Sequence, residues 1–98
     1  MSDIVNSAIA AINEKLGSDA ISGSVKIDMG DTGAIMVDES GASAAEAGAE
    51  ADCTLIADAE TLKGILDGDI DPTSAVMSGQ LTIEGDMGLA MTLGNALA

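Results

Sequence analysis

No phenylalanine, tyrosine or tryptophan occurs anywhere in this chain of 98 residues. Aromatic side chains each bury roughly 150–250 Å² and usually fill the middle of a small core. A chain without them must pack its interior with Ala, Ile, Leu, Val and Met, or leave space unfilled. Apolar residues still make up 47% of the sequence, enough for collapse, which argues against disorder despite a large charge imbalance. The length admits a single domain, residues 1–98, and not two. The expectation is one domain with a modest, adaptable interior.

Two hydrophobic periods alternate along the chain. Over residues 3–16, Ile4, Val5, Ala8, Ile9, Ile12 and Leu16 recur at steps of three and four, the stripe of an amphipathic helix. Ser2 is its expected N-cap and Gly17 its stop. The period then changes to two: Val25, Ile27 and Met29 alternate with Ser24, Lys26 and Asp28, as in a half-buried strand. Gly30 to Gly33 reads as a turn, Ala34 to Asp38 as a second strand and Ser40-Gly41 as the next turn. Ala42 to Ala47 reads as a third strand, poor in strand formers, and Cys53 to Ala57 as a fourth. Short connections make an antiparallel meander the simplest topology for these four.

Asp58 is placed to cap a helix running through Asp67, with Leu62, Ile65 and Leu66 on its stripe and Gly68 at its end. Asp71 and Pro72 open a short helix that closes at Gly79. Gln80 to Glu84 alternates again, and Asp86 caps a last helix from Met87 to Leu97. Helix, four strands, two helices, strand and helix predict an α+β fold, one sheet covered by helices.

Seventeen acidic residues stand against Lys15, Lys26 and Lys63, a formal net charge of −14. That tells against nucleic acid, whose backbone demands clustered cations, and against anionic membranes, which repel acidic surfaces. The acidity reads either as a solubility device, or adaptation to salt, or as the means to recognise a basic partner protein. With no histidine and one cysteine, the chain can form neither an internal disulfide nor the usual zinc site. Cys53, in an apolar run beside Asp52, reads as a buried, inert thiol. The start Met1-Ser2-Asp3 lacks the basic residues of a signal peptide, and no apolar run approaches membrane-spanning length. The end Ala96-Leu97-Ala98 is not a peroxisomal address, so the expected location is cytoplasmic.

Two motifs fail on inspection. Asp67, Asp69 and Asp71 have the spacing that opens a calcium-binding loop, but Pro72 and Ser78 occupy the places that need Gly and Glu. Gly85-Asp86-Met87-Gly88 opens a helix, yet Asp86 sits where a phosphate would have to sit. For catalysis the chain offers carboxylates, serines and one thiol but no histidine and no arginine, and no acid pair stands out. The chain is read as no enzyme, with neither cofactor nor metal.

The methionines say more. Met77, Met87 and Met91 gather in the last quarter with Leu81, Ile83, Leu89, Ala90 and Leu93, and the apolar arc of the last helix is wider than one sheet face demands. Methionine suits surfaces that accept varied apolar shapes, although an ordinary Met-containing core is the alternative. The segment Asp71 to Leu93 closes a helix on Ser78-Gly79, runs through a strand to Gly85-Asp86 and continues Met87-Gly88-Leu89-Ala90. In this it resembles the C-terminal signature of the sterol carrier protein type 2 family. Ala51 to Gly68 is similar to that family's fourth strand and following helix. The resemblance runs through the chain and is most specific in residues 72–93.

What the resemblance implies is a five-stranded, mostly antiparallel sheet whose helices enclose an apolar tunnel for fatty acids, fatty acyl thioesters, sterols or phospholipids. Carried over position by position, the resemblance puts Met77, Leu81, Ile83, Met87, Ala90 and Met91 on or beside the tunnel. Leu62, Leu66 and Ile12 are its expected neighbours. The family commonly has an aromatic residue where Val76 stands and basic residues near Gln80, Thr82 and Thr92. These departures tell against anionic headgroup binding and against collision with membranes. The expected function is non-catalytic lipid binding, with intracellular transfer as its extension. An accessory module for a partner enzyme is the alternative. An acyl carrier protein shares the size and acidity, but that fold is all helical and its Asp-Ser-Leu attachment site is absent here.

Overall fold

The computed structural model describes residues 3–16, 23–46 and 48–97. Asp3–Leu16 forms helix α1, and Val5, Ala8, Ile12 and Leu16 are its buried residues. At 100° per residue Ile4 falls off that line, and it is 53% exposed. Ser2 and Gly17, the expected cap and stop of α1, lie outside the described residues, as does Ala47 at the end of the expected third strand.

Strands β1 (Val25–Asp28), β2 (Ala34–Asp38) and β3 (Gly41–Ala45) form an antiparallel meander, with a 3-10 turn at Gly30–Thr32 between the first two. Strand β4 (Cys53–Ile56) departs from the expected topology. It pairs with β1, not β3, and runs parallel to it. Strand β5 (Thr82–Gly85) adds antiparallel to β4, so the sheet order is β3-β2-β1-β4-β5. Parallel neighbours need a long crossover, and here the β2–β3 hairpin itself lies between them in sequence. Apolar register explains the choice: Val25 and Ile27 sit opposite Val37 and Ile35 on one side and Cys53 and Leu55 on the other. All six are buried, so pairing with β1 gives β4 a central place.

The central position of β1 also changes the reading of Lys26. Strict alternation makes it a solvated residue, yet it is 6% exposed. It points away from Val25 and Ile27, toward the segment that carries the chain from β3 to β4. Its ammonium donates to the Ala49 carbonyl at 3.3 Å. Burial of a charge requires such partners, and the lysine ties that segment to the sheet.

The remaining elements are helices α2 (Ala59–Asp67), α3 (Pro72–Met77) and α4 (Met87–Leu97). Their starts follow the sequence. The carboxylates of Asp58, Asp71 and Asp86 accept from the backbone N–H groups of Thr61, Ser74 and Leu89, at 2.7, 3.2 and 3.2 Å. Gly68 closes α2 in the left-handed conformation, φ 84°. Buried residues of α1, α2, α3 and α4 join Ile27, Ile35, Val37 and Leu55 in one continuous core. Asn13 fastens α1 to β3, donating to the Ala42 carbonyl at 3.1 Å and accepting from the Ala42 N–H at 2.8 Å.

Candidate functional site

The core is not closed everywhere. Where α3 and α4 meet the sheet, a cavity of about 60 Å³ remains. Ile27 of β1, Leu55 of β4 and Ile83 of β5 bound it on the sheet side, with Leu81 and Ala57 beside them. Leu62 and Ile65 of α2, Val76 of α3, and Ala90, Met91 and Gly94 of α4 supply the rest of the wall. The polar lining residues are Asp71 and Thr73, and the Asp71 carboxylate already accepts from the N–H and the hydroxyl of Ser74. Small residues hold α3 and α4 close: a methyl group on Gly94 would stand 3.3 Å from Cβ of Pro72.

Five of the nine residues expected on or beside the tunnel meet at this cavity: Leu62, Leu81, Ile83, Ala90 and Met91. The other four lie elsewhere. Ile12 is fully buried in the main core, and Leu66 faces a separate groove between α1 and α2. Met77 and Met87 project outward, 84% and 54% exposed. Ile27, Leu55 and Ile65 were not anticipated as lining. The period-two pattern of β1 and β4 placed the first two on the helix-facing side, but nothing local showed that this stretch stays underfilled. Val76 faces the cavity, and its small side chain leaves space there.

The chemistry of the cavity is apolar. Among the described residues no group of His, Cys, Asp or Glu is arranged to hold a metal ion. None of their buried side-chain polar atoms lacks a hydrogen-bond partner. Cys53 is buried on β4 and is no lining residue of the cavity. Burial raises its pKa, the negative charge of Asp86 raises it further, and a hydrogen bond with the Ala90 backbone offsets part of the rise. A thiol held in its neutral form is a poor nucleophile.

The groove between α1 and α2 is larger, about 480 Å³, and open. Its floor is Ile4, Ala8, Ala11, Met29, Leu62 and Leu66; Asp3, Glu60, Lys63 and Asp67 stand around it. Leu62 borders both this groove and the interior cavity.

Among the described residues, a five-stranded mixed sheet, four helices and an apolar pocket under the last two define an α+β domain of the sterol carrier type. The chain belongs to the SCP-2 sterol transfer family, which matches residues 10–98. Among solved structures it is similar to Sterol Carrier Protein-2 from Aedes aegypti in complex with the C16 fatty acid palmitate. The TM-score is 0.79 with 17% identity, over 100% of this chain and 97% of that one. Palmitated SCP2L2 from the same organism superposes with a TM-score of 0.64 at 20% identity, over 99% and 95% of the two chains. At these identities the likeness speaks for the fold. The hydroxysteroid dehydrogenase-like protein 2 of Danio rerio is 45% identical over 49 residues. That stretch is 50% of this chain and 12% of the relative, so the chain spans a small part of that protein's length. Among the described residues no helix is long and apolar enough to cross a membrane.

Proposed function

We propose that this protein is a non-catalytic carrier that encloses the acyl chain of a single-chain lipid between the sheet and helices α3 and α4. The observation that carries the reading is the apolar cavity, bounded by six elements and by five of the residues that the family resemblance singles out. The fold is shared with two proteins solved with palmitate, which makes a fatty acid the first ligand to try. At about 60 Å³ the cavity is smaller than the ~300–1,000 Å³ of a typical ligand pocket. The ligand therefore enters by displacing side chains, and thin residues such as Val76, Ala90 and Gly94 make that displacement cheap. Burial of apolar surface at roughly 25 cal/mol per Å² supplies the drive.

Exchange takes place on the α3–α4 side. Neither helix carries a charged residue, and Met77, Met87 and Met91 leave apolar surface exposed there. With a net charge of −14 on the whole chain, the carrier avoids anionic bilayers and delivers through water or to a basic partner protein. A second reading is favoured by the Danio rerio relative, in which the matching stretch is a small part of a longer protein. On that reading the domain lends its fold to a partner enzyme and holds no lipid.

Thermal unfolding followed by circular dichroism, with palmitate titrated in, separates the two. A ligand that binds only the native state stabilises it by about 2.7 kcal/mol at a hundredfold excess over Kd. For a domain of this size that raises the midpoint by roughly 10–20 °C. A midpoint that stays fixed for every chain length tried rules out the carrier reading.

A further inference from the structure

Leu62 separates two apolar spaces that no other lining residue shares. One is the cavity of about 60 Å³ under α3 and α4 and the other the groove of about 480 Å³ between α1 and α2. Neither suits a long acyl chain by itself: the cavity is too small, and the groove leaves one side of its occupant in water. A path joining the α3–α4 face to the α1–α2 face would have to pass the Leu62 side chain. Leu62 on α2 is the residue that lines both, and a rotamer change moves leucine without breaking any hydrogen bond.

We infer that the α1–α2 groove is the second arm of the lipid site, that Leu62 is the gate into it, and that the arm receives the methyl end of a long acyl chain. The inference rests on the carrier reading above. Two observations choose the tail of the same lipid as the occupant. The floor is apolar, and Ile4 stands there with half its surface uncovered, ready to lose water against methylene groups. The rim carries Asp3, Glu60 and Asp67 against Lys63, so the groove repels a carboxylate on balance. A fatty acid therefore threads with its carboxyl end left on the α3–α4 side, where Asp71 is the one acid lining the cavity and its carboxylate is already held by Ser74, and with its methyl end in the groove. Chains short enough to end at Leu62 never reach the second arm, so the groove also sets chain-length preference.

Two spin-labelled stearates test this on the wild-type protein, one with its nitroxide near the methyl end and one with it near the carboxyl end. In amide spectra the methyl-end label should broaden Ala8, Ala11 and Leu66 most, and the carboxyl-end label Met91 and Gly94 most. The reversed pattern, or a methyl-end label that acts only on α4 and β5, overturns the second arm and leaves the carrier reading intact. No broadening from either label overturns both. Ala59→Trp, which fills the groove and not the cavity, should weaken palmitate about tenfold, the equivalent of roughly two buried methylenes. Octanoate binding should be unchanged. Equal weakening of both acids, or of neither, contradicts the inference.

Discussion

Replacing Ala90 by Val probes whether the space under α4 is free in the apo protein. Ala90 is buried, and it borders the cavity of about 60 Å³. Valine adds two carbons at that wall, and each buried methylene contributes about 0.8 kcal/mol when it meets empty space. A β-branched residue in a helix interior costs about 0.5 kcal/mol. The balance is a stabilisation of about 1 kcal/mol, read as a rise of roughly 4–8 °C in the thermal midpoint of a domain this size. The same carbons occupy the path of the ligand, so palmitate-linked stabilisation should shrink as the apo protein gains. Circular dichroism melts of both proteins, with and without palmitate, measure both effects. A lowered apo midpoint means the core is already filled and the added carbons are strained. A raised midpoint with the palmitate effect intact means the cavity is not where the lipid goes.

Leu93→Ala removes a fully buried side chain of α4 that does not line the cavity, and it should cost about 3–5 kcal/mol, seen as a fall in the urea midpoint. Gly85→Ala strains the end of β5: φ there is 94°, and the new methyl stands 2.5 Å from the Asp52 carbonyl oxygen. Loss of about 1–3 kcal/mol is expected, and an unchanged urea midpoint refutes the β4–β5 register. Hydrogen bonds from the Thr61 backbone and side chain hold the Asp58 carboxyl below the usual aspartate range. A depressed folded-state pKa contributes stability above the ordinary aspartate value, and the contribution is lost as pH falls through the folded value. Asp58→Asn keeps the cap and removes that dependence, so its acid-unfolding curve should be shallower than wild type; superimposable curves contradict the capping role.

The helix starts were legible because each depends on a local pattern. An acidic residue stands one position before an apolar period at Asp58, Asp71 and Asp86, and all three side chains accept the backbone N–H groups that the pattern promises. The parallel pairing of β1 with β4 was not legible. It is decided by matching two strands far apart in sequence, and the short β3–β4 connection made a meander look simplest. The same long-range event hid the burial of Lys26, since the segment bearing Ala49 crosses the sheet only because β4 pairs with β1. The site divides in the same way. Leu81, Ile83, Ala90 and Met91 came from the signature of residues 72–93, whereas Ile27 and Leu55 become cavity walls only through the pairing of β1 with β4 and the packing of distant helices over them. Met77 shows the limit of composition: it is apolar and near the signature, yet α3 ends there and turns it outward.

Native mass spectrometry of the protein isolated from cells without detergent or organic solvent tests the carrier reading most directly. The carrier account predicts an adduct of one single-chain lipid per protein chain, displaced by added palmitate, and retained less well by Ala90→Val. A wild-type protein that flies only at its bare mass, and takes up no palmitate when it is offered, contradicts it.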